Sequence, residues 1–146
     1  MDFDQSPITG KPRLFTVREA NALLVEVEPL VAQMRDAART TAVAGEIVQA
    51  FARRIADSGG GRPDAEEALA QRDLAEATPR LRDALDALED LGVWVKDPVR
   101  GLLDFPSDRN GEVVELCWLH GEPEVAHWHR IGAGFAGRKP LDEDVS

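Results

Sequence analysis

Two long stretches of the chain repeat apolar residues at steps of three and four, which places them along one side of an α-helix. The first predicted helix covers residues 15–57 and the second covers residues 64–91. Residues 58–63 (SGGGRP) between them are turn-forming. Two long helices joined by so short a connection should fold back as an antiparallel hairpin. The first stripe lasts for several heptads, so it can support a long coiled-coil-like pairing.

Local residues mark where the helices begin. Thr16 can cap the first helix, and Glu19, three residues later, can complete a capping box. Asp64 occupies the N-cap position of the second helix. Two prolines lie inside the predicted helices. Pro29 either kinks the first helix or marks its true start, and Pro79, which follows a possible N-cap threonine, either restarts the second helix or only kinks it.

After Gly92, which suits a helix C-cap, the hydrophobic period changes. Short segments rich in β-branched and aromatic residues are now separated by turn-forming residues, including Asn110-Gly111, and are predicted as strands. These segments are residues 93–96, 101–105, 113–118 and 125–131. We therefore predict a three- to four-stranded antiparallel β-meander over residues 93–131 and an irregular tail over residues 132–146.

Helices followed by strands are typical of an α+β fold. A chain of 146 residues can form one domain, residues 1–146, with a real hydrophobic core. The predicted sheet is too small to be stable alone. It should pack against the base of the helical hairpin or against a second copy of the chain.

Composition and charge limit the partners and the compartment. The formal net charge is -10 and the basic residues are scattered, so neither nucleic acid nor an anionic membrane is an expected partner. The chain has no apolar run of membrane-spanning length and no secretory signal at its N-terminus. Its single cysteine cannot form an intrachain disulfide, and a free thiol fits a reducing cytoplasm.

Residues 116–131 (LCWLHGEPEVAHWHRI) contain the only cysteine, all three histidines and two of the three tryptophans. This stretch spans two predicted strands that can pair as a hairpin. The register of that pairing decides which side chains share a face, because a slip of one residue turns every side chain to the other face of the sheet.

Two registers are open. One places Trp118 and Trp128 on the same face and leaves Cys117, His127 and His129 together on the opposite face. The other separates Cys117 from both histidines. We favour the first register because it sorts the side chains by chemistry and lets the two indole rings pack.

In the favoured register Cys117, His127 and His129 can converge, with His120, Glu122 or Glu124 nearby in the connecting loop. Thiolate and imidazole groups suit zinc or another borderline-soft metal. The C-x2-H-x6-H-x-H spacing is not a standard zinc spacing, and structural zinc sites usually have a second cysteine. The alternative is a buried structural cysteine beside hydrogen-bonded histidines.

An enzyme that uses Cys117 as nucleophile and His129 as base is a further alternative. The nearby Glu115, Glu122 and Glu124 disfavour it, because acidic surroundings raise the pKa of a thiol.

Two other features of the sequence are better explained by structure than by function. Residues 132–137 spell G-x-G-x-x-G, but the chain leaves no room for the βαβ unit that a dinucleotide site needs, so these glycines are predicted to form a tight turn. Lys96, Asp97, Arg100 and Asp104 surround a predicted turn, where we expect them to be solvated or to cap the turn.

Three motifs resemble an uncharacterised bacterial family that is known only as a domain of unknown function. They are FTxxEANxLL from Phe15, VKDPxxGLLDFP from Val95, and CWxxGEPEVAxWH from Cys117, the last followed by GFAGR from Gly134. The resemblance covers nearly the whole chain and implies one compact domain, without an activity.

The resemblance also bears on the candidate ligands. In the family pattern the positions of His120 and His127 are commonly Leu and Tyr. The resemblance therefore implies that Cys117, Glu122 and His129 are the more general trio.

Taken together, the sequence favours a non-catalytic cytoplasmic module for interaction or oligomerisation. Apolar surface left over on the helical hairpin would drive homodimerisation or bind a helix of a protein partner. The first alternative is a metal-binding domain, with zinc or a similar ion held by the Cys/His/Glu cluster. The second alternative is an enzyme of unknown reaction at the same cluster.

Overall fold

The computed structural model describes residues 12–141, and its first half is a pair of long helices. Helix α1 spans Val17–Ser58 and helix α2 spans Ala65–Asp90. The predicted capping box is confirmed: Glu19 N–H donates to the Thr16 hydroxyl (3.0 Å), and Thr16 N–H donates to the Glu19 carboxylate (2.9 Å). Within the described residues, neither helix is long and apolar enough to cross a membrane.

Neither internal proline ends a helix. Helix α1 begins at Val17 and runs through Pro29, so of the two alternatives for Pro29 the one in which it marks the start of the helix is excluded. Helix α2 likewise runs through Pro79. The Thr78 hydroxyl donates back to the Leu74 carbonyl (2.7 Å), as in a helix interior, and does not cap a new helix. At the other end of α2 the C-cap is Leu91, and Gly92 follows it with φ of 88°.

The second half of the described chain is a five-stranded antiparallel sheet with its strands in sequence order. The strands are β1 (Trp94–Asp97), β2 (Leu102–Arg109), β3 (Glu112–Leu119), β4 (His127–Arg130) and β5 (Lys139–Pro140). The predicted α+β fold is therefore confirmed. The extra strand comes from the tail, which also forms a short 3-10 helix, Phe135–Gly137, so the tail is not wholly irregular. Residues 142–146 of the tail lie outside the described part.

Strand β2 is longer than its sequence pattern predicts, because residues 106–109 continue it and do not form a turn. Strand β1 pairs only with residues 102–104 of β2, so within residues 12–141 no strand pairs with Pro106 on that side. An edge position tolerates the missing N–H of proline. The turn itself is confined to Asn110 and Gly111, whose φ angles of 54° and 86° match the predicted tight hairpin.

One face of the sheet packs on the base of the helical hairpin. Its buried residues alternate along the strands and join helix residues in one hydrophobic cluster. The sheet contributes Val95, Leu103, Phe105, Leu116, Trp118 and Trp128, and the helices contribute Leu24, Val27, Val31, Ala84 and Leu88. The sheet therefore has an inner, apolar face and an outer face directed away from the helices.

Asn21 ties the loop between β3 and β4 to helix α1. Its side-chain oxygen accepts from the Val125 N–H (2.6 Å), and its amide nitrogen donates to the Val125 carbonyl (3.3 Å). Val125 is buried, so these two backbone groups have little access to water. The side chain of Asn21 thus fixes the loop that leads into β4.

We predict that Asn21→Ala lowers the free energy of unfolding by about 1–3 kcal/mol, because the buried Val125 N–H and carbonyl lose their partners. Chemical denaturation of the variant beside the parent measures the loss. Gln33→Ala is the control: its exposed amide also donates to a backbone carbonyl, that of Arg80, and its loss should cost about 0.5 kcal/mol or less. Equal losses in the two variants would contradict the role of Asn21.

Candidate metal centre on the outer face of the sheet

The strand register brings the polar residues of the C-terminal hairpin onto the outer face. Leu116 pairs with Trp128 and Cys117 pairs with His127, which is the register favoured from the sequence. On the other side of β3, Cys117 pairs with Asp104 of β2. Since paired residues point to the same side of an antiparallel sheet, Asp104, Cys117 and His127 form one row across three strands.

Glu115 and His129 form the next row on the same face. His129 lies diagonal to Cys117 and reaches over β3 to Asp104 on β2. Its Nε2 atom is 3.0 Å from Asp104 Oδ1. The outer face therefore carries a compact polar group at the centre of the sheet.

Among the described residues, Asp104, Cys117 and His129 form a group whose potential ligand atoms all lie within 4.8 Å of one another. All three residues are buried, with 1%, 0% and 2% of their surface exposed. Asp104 was expected to be solvated or to cap a turn, and that expectation is wrong. Asp97 does have the capping role, since its carboxylate accepts from the N–H groups of Val99 and Arg100.

The two ring nitrogens of His129 have different roles. Nδ1 lies 2.8 Å from the Arg130 carbonyl. A carbonyl only accepts, so Nδ1 carries a hydrogen. Nε2 faces the Asp104 carboxylate, either with a second hydrogen or with a lone pair. Burial lowers the pKa of His129, but hydrogen bonds to Asp104, Cys117 and the Arg130 backbone outweigh it and raise this pKa to about 10. Without a metal, His129 is an imidazolium at neutral pH.

Cys117 is a buried thiol that does not ionise readily. Burial raises its pKa and the charge of Asp104 adds to the effect, while His129 and Arg138 act in the opposite direction. A cysteine attacks as its thiolate, which needs a low pKa and access for the substrate. Cys117 is fully buried and burial raises its pKa, so this site disfavours a cysteine nucleophile.

Glu122 and His127 lie beside the group and are held by Arg138. The guanidinium of Arg138 donates to the Glu122 carboxylate and to His127 Nδ1 (2.6 Å), and it approaches Cys117 Sγ at 3.9 Å. Burial raises the pKa of Glu122, but the hydrogen bonds from Arg138 and the Leu119 backbone have the larger, opposite effect. The pKa of Glu122 therefore lies below its usual value. These contacts direct both side chains to Arg138.

His120 lies apart from the group. It is exposed in the turn after β3, and its ring packs edge-on against Trp118 with 6.3 Å between centroids. Of the five ligands predicted from the sequence, the structure thus gathers Cys117 and His129 in the buried group. Glu122 and His127 are neighbours of that group, and Asp104 replaces them as its third member.

A small cavity of about 160 Å³ opens onto Asp104, Glu115 and His129. Lys96 lines it, with Nζ 3.8 Å from the Glu115 carboxylate. The tail covers the cavity with Phe135, whose ring is contacted by the guanidinium groups of Arg100 (5.0 Å) and Arg138 (4.6 Å). The polar group therefore lies under a glycine-rich segment and next to space for a small ligand.

The chain belongs to the family described as an uncharacterized conserved protein, DUF2203, whose model matches residues 13–141. This confirms the family membership that the motifs indicated. No curated protein and no solved structure matches the chain. The family description names no activity, so a function has to be argued from the site itself.

We predict that metal-free protein becomes less stable as pH rises from 6.5 towards 10. The pKa of His129 is about 10 in the folded chain and 6.5 when unperturbed. Its stabilising contribution is therefore complete below about pH 6.5 and is lost as pH rises through about 10. Denaturation of chelator-treated protein between pH 6 and about 8, below the ordinary thiol pKa of about 8.5, measures this slope.

The matched variants are His129→Gln and His120→Gln. The first should flatten the decline in stability because it removes the raised pKa, and the second should leave the decline unchanged because His120 is exposed. A parent protein whose stability is flat over this range would contradict the buried imidazolium.

Proposed function

We propose that this protein is a metal-binding domain that holds one zinc-like divalent ion with Asp104, Cys117 and His129. The observation that supports this proposal is the convergence of three buried donor atoms within 4.8 Å. The sequence alone favours an interaction module over metal binding. The buried carboxylate of Asp104 reverses this preference, because it supplies a third donor that the sequence pattern did not indicate.

The donor set fits a borderline metal. A thiolate, an imidazole and a carboxylate are all common zinc ligands, with expected bond lengths of about 2.0–2.3 Å. The hydrogen bond from His129 Nδ1 to the Arg130 carbonyl also fits, because metal-bound histidines usually donate their second ring N–H to such an acceptor. That bond leaves Nε2, the atom next to Asp104, to coordinate the ion.

Charge balance supports exchange of protons for a metal. In the metal-free group the Asp104 carboxylate is balanced by the His129 imidazolium. A divalent ion would replace the extra proton of His129 and the thiol proton of Cys117, and the two charges of the ion would balance the carboxylate and the thiolate. The group is neutral in both states, so binding does not leave an uncompensated charge in a buried site. Binding should release protons and strengthen with pH.

Three protein ligands define an open site, because structural zinc sites usually have four. The cavity beside Asp104 and His129 provides space for a fourth donor from solvent or a small molecule. If the protein is an enzyme, we propose that the bound ion and not a cysteine nucleophile supplies its chemistry, since the site disfavours a cysteine nucleophile. A reducing compartment such as the cytoplasm suits this proposal, because the thiol of Cys117 has to stay unoxidised.

Elemental analysis of tag-free protein purified without chelator, and of protein reconstituted with zinc, tests the proposal. We expect about one zinc per chain in the parent protein. Asp104→Asn, Cys117→Ser and His129→Gln should each weaken zinc binding by about 100-fold or more, because each removes a direct ligand. His120→Ala should bind zinc like the parent protein, and circular dichroism of each variant checks that it is folded.

His127→Ala distinguishes the structural ligand set from the one predicted from the sequence. The contact between His127 and Arg138 leaves it outside the proposed ligands, so this variant should retain zinc. Zinc that is lost in His127→Ala but retained in Asp104→Asn would favour the sequence-based set. A parent protein that binds no zinc after reconstitution would refute metal binding at this site.

A further inference from the structure

The distal half of the helical hairpin, away from the sheet, has a narrow interior. The residues buried between α1 and α2 in this part are mostly alanines: Ala37, Ala38, Ala44, Ala70 and Ala77. Alanines let the helices approach closely but bury little apolar surface. Larger apolar side chains are left on the flanks, notably Val43 at 61% exposed and Leu69 at 52% exposed.

These side chains border a groove of about 360 Å³ that runs between the two helices. Its walls include Arg39, Val43 and Ile47 from α1, and Asp73, Leu69 and Glu66 from α2. We call this surface the hairpin groove. It shares no residue with the candidate metal centre. Its lining residues recur at steps of three and four on both helices, which is the pattern of a surface that packs against other helices.

We propose that the hairpin groove is the contact surface between two copies of this chain, related by a two-fold axis parallel to the hairpin. In this arrangement the α1 wall of each copy packs on the α2 wall of its partner. The spacing of the groove residues fits: Arg39 and Val43 are four residues apart, as are Asp73 and Leu69. At 1.5 Å of rise per residue, Arg39 can meet the partner's Asp73 while Val43 meets the partner's Leu69.

Charge complementarity favours a second copy as the occupant. Neither Arg39 nor Asp73 has an ion-pair partner among residues 12–141 of its own chain. Two-fold symmetry makes the Arg39–Asp73 contact twice, so both charges of each copy are matched. The same symmetry packs Val43 of each copy against the partner's Leu69, so both exposed apolar side chains become covered.

The charges also select the direction of the axis. If the two hairpins ran in opposite directions, each α2 wall would lie on the α2 wall of its partner. Glu66 would then approach the partner's Asp73, and two carboxylates would face each other at each end of the contact. The parallel arrangement avoids this repulsion, and it forms a four-helix bundle in which the neighbouring helices α1 and α2 are antiparallel throughout.

Light scattering coupled to size exclusion, over concentrations up to the high micromolar range, tests the proposal on chelator-treated protein. The parent protein should be a dimer. Val43→Asp should make it monomeric, because it places a charge at the centre of the apolar contact. Val25→Asp is the matched control: Val25 is 81% exposed on the same helix but lies outside the groove, so this variant should stay dimeric.

A charge-reversal pair tests the axis. Arg39→Asp and Asp73→Arg should each weaken the dimer by about tenfold or more, because each variant sets like charges against each other at two symmetric contacts. An equimolar mixture should recover a heterodimer, in which every contact again joins opposite charges. Arg72→Asp changes the net charge as Arg39→Asp does, but outside the groove, and should leave the dimer intact.

Several results would overturn the proposal. A parent protein that is monomeric at every concentration would exclude a second copy as the occupant. Dimers that survive Val43→Asp would place the contact elsewhere. A mixture of the charge-reversed variants that stays monomeric would exclude the parallel axis. None of these results depends on zinc, so they leave the metal proposal to be decided separately.

Discussion

The pairing of Leu116 with Trp128 across β3 and β4 determines the chemistry of both faces of the sheet. In this register, both tryptophans of the hairpin join the hydrophobic cluster at the base of the helices. Because side chains alternate along a strand, Cys117 and His129 are then placed on the opposite face. A slip of one residue would bury polar groups against the helices and remove the candidate metal centre. Folding and the site thus depend on the same contact.

The outer face is unusual because it is both polar and buried. Asp104, Glu115 and His129 are each at most 2% exposed, and Phe135 of the tail lines the cavity beside them. A buried ion pair is a poor source of stability, since an apolar replacement of similar volume is often neutral or stabilising. Compared with apolar side chains of the same volume, the sheet therefore gains little stability from this group, although removing one partner of the pair would destabilise it. That consideration favours a role of the group in ligand binding, and the adjacent cavity is where a ligand would lie.

The fold was largely predictable because its signals are local. The period of three and four, the capping box at Thr16 and the Asn110-Gly111 turn each fix one element through neighbouring residues. The favoured hairpin register also followed from the alternation of tryptophan with cysteine and histidine. Asp104 could not be identified in this way: its sequence context indicated a turn, and its partner His129 is 25 residues away. Its burial depends on the tail folding over the sheet, which no local pattern specified. No local pattern indicated either that Arg138 of the tail would contact the side chain of His127.

Zinc-edge anomalous diffraction from crystals grown with zinc would show whether the outer face of the sheet is a metal centre. We expect a peak about 2.0–2.3 Å from Asp104 Oδ1, Cys117 Sγ and His129 Nε2, with His129 Nδ1 still donating to the Arg130 carbonyl. Crystals with no peak at this position, and with His129 Nε2 still hydrogen-bonded to Asp104, would contradict the proposed metal centre. The group would then be a buried ion pair beside a thiol.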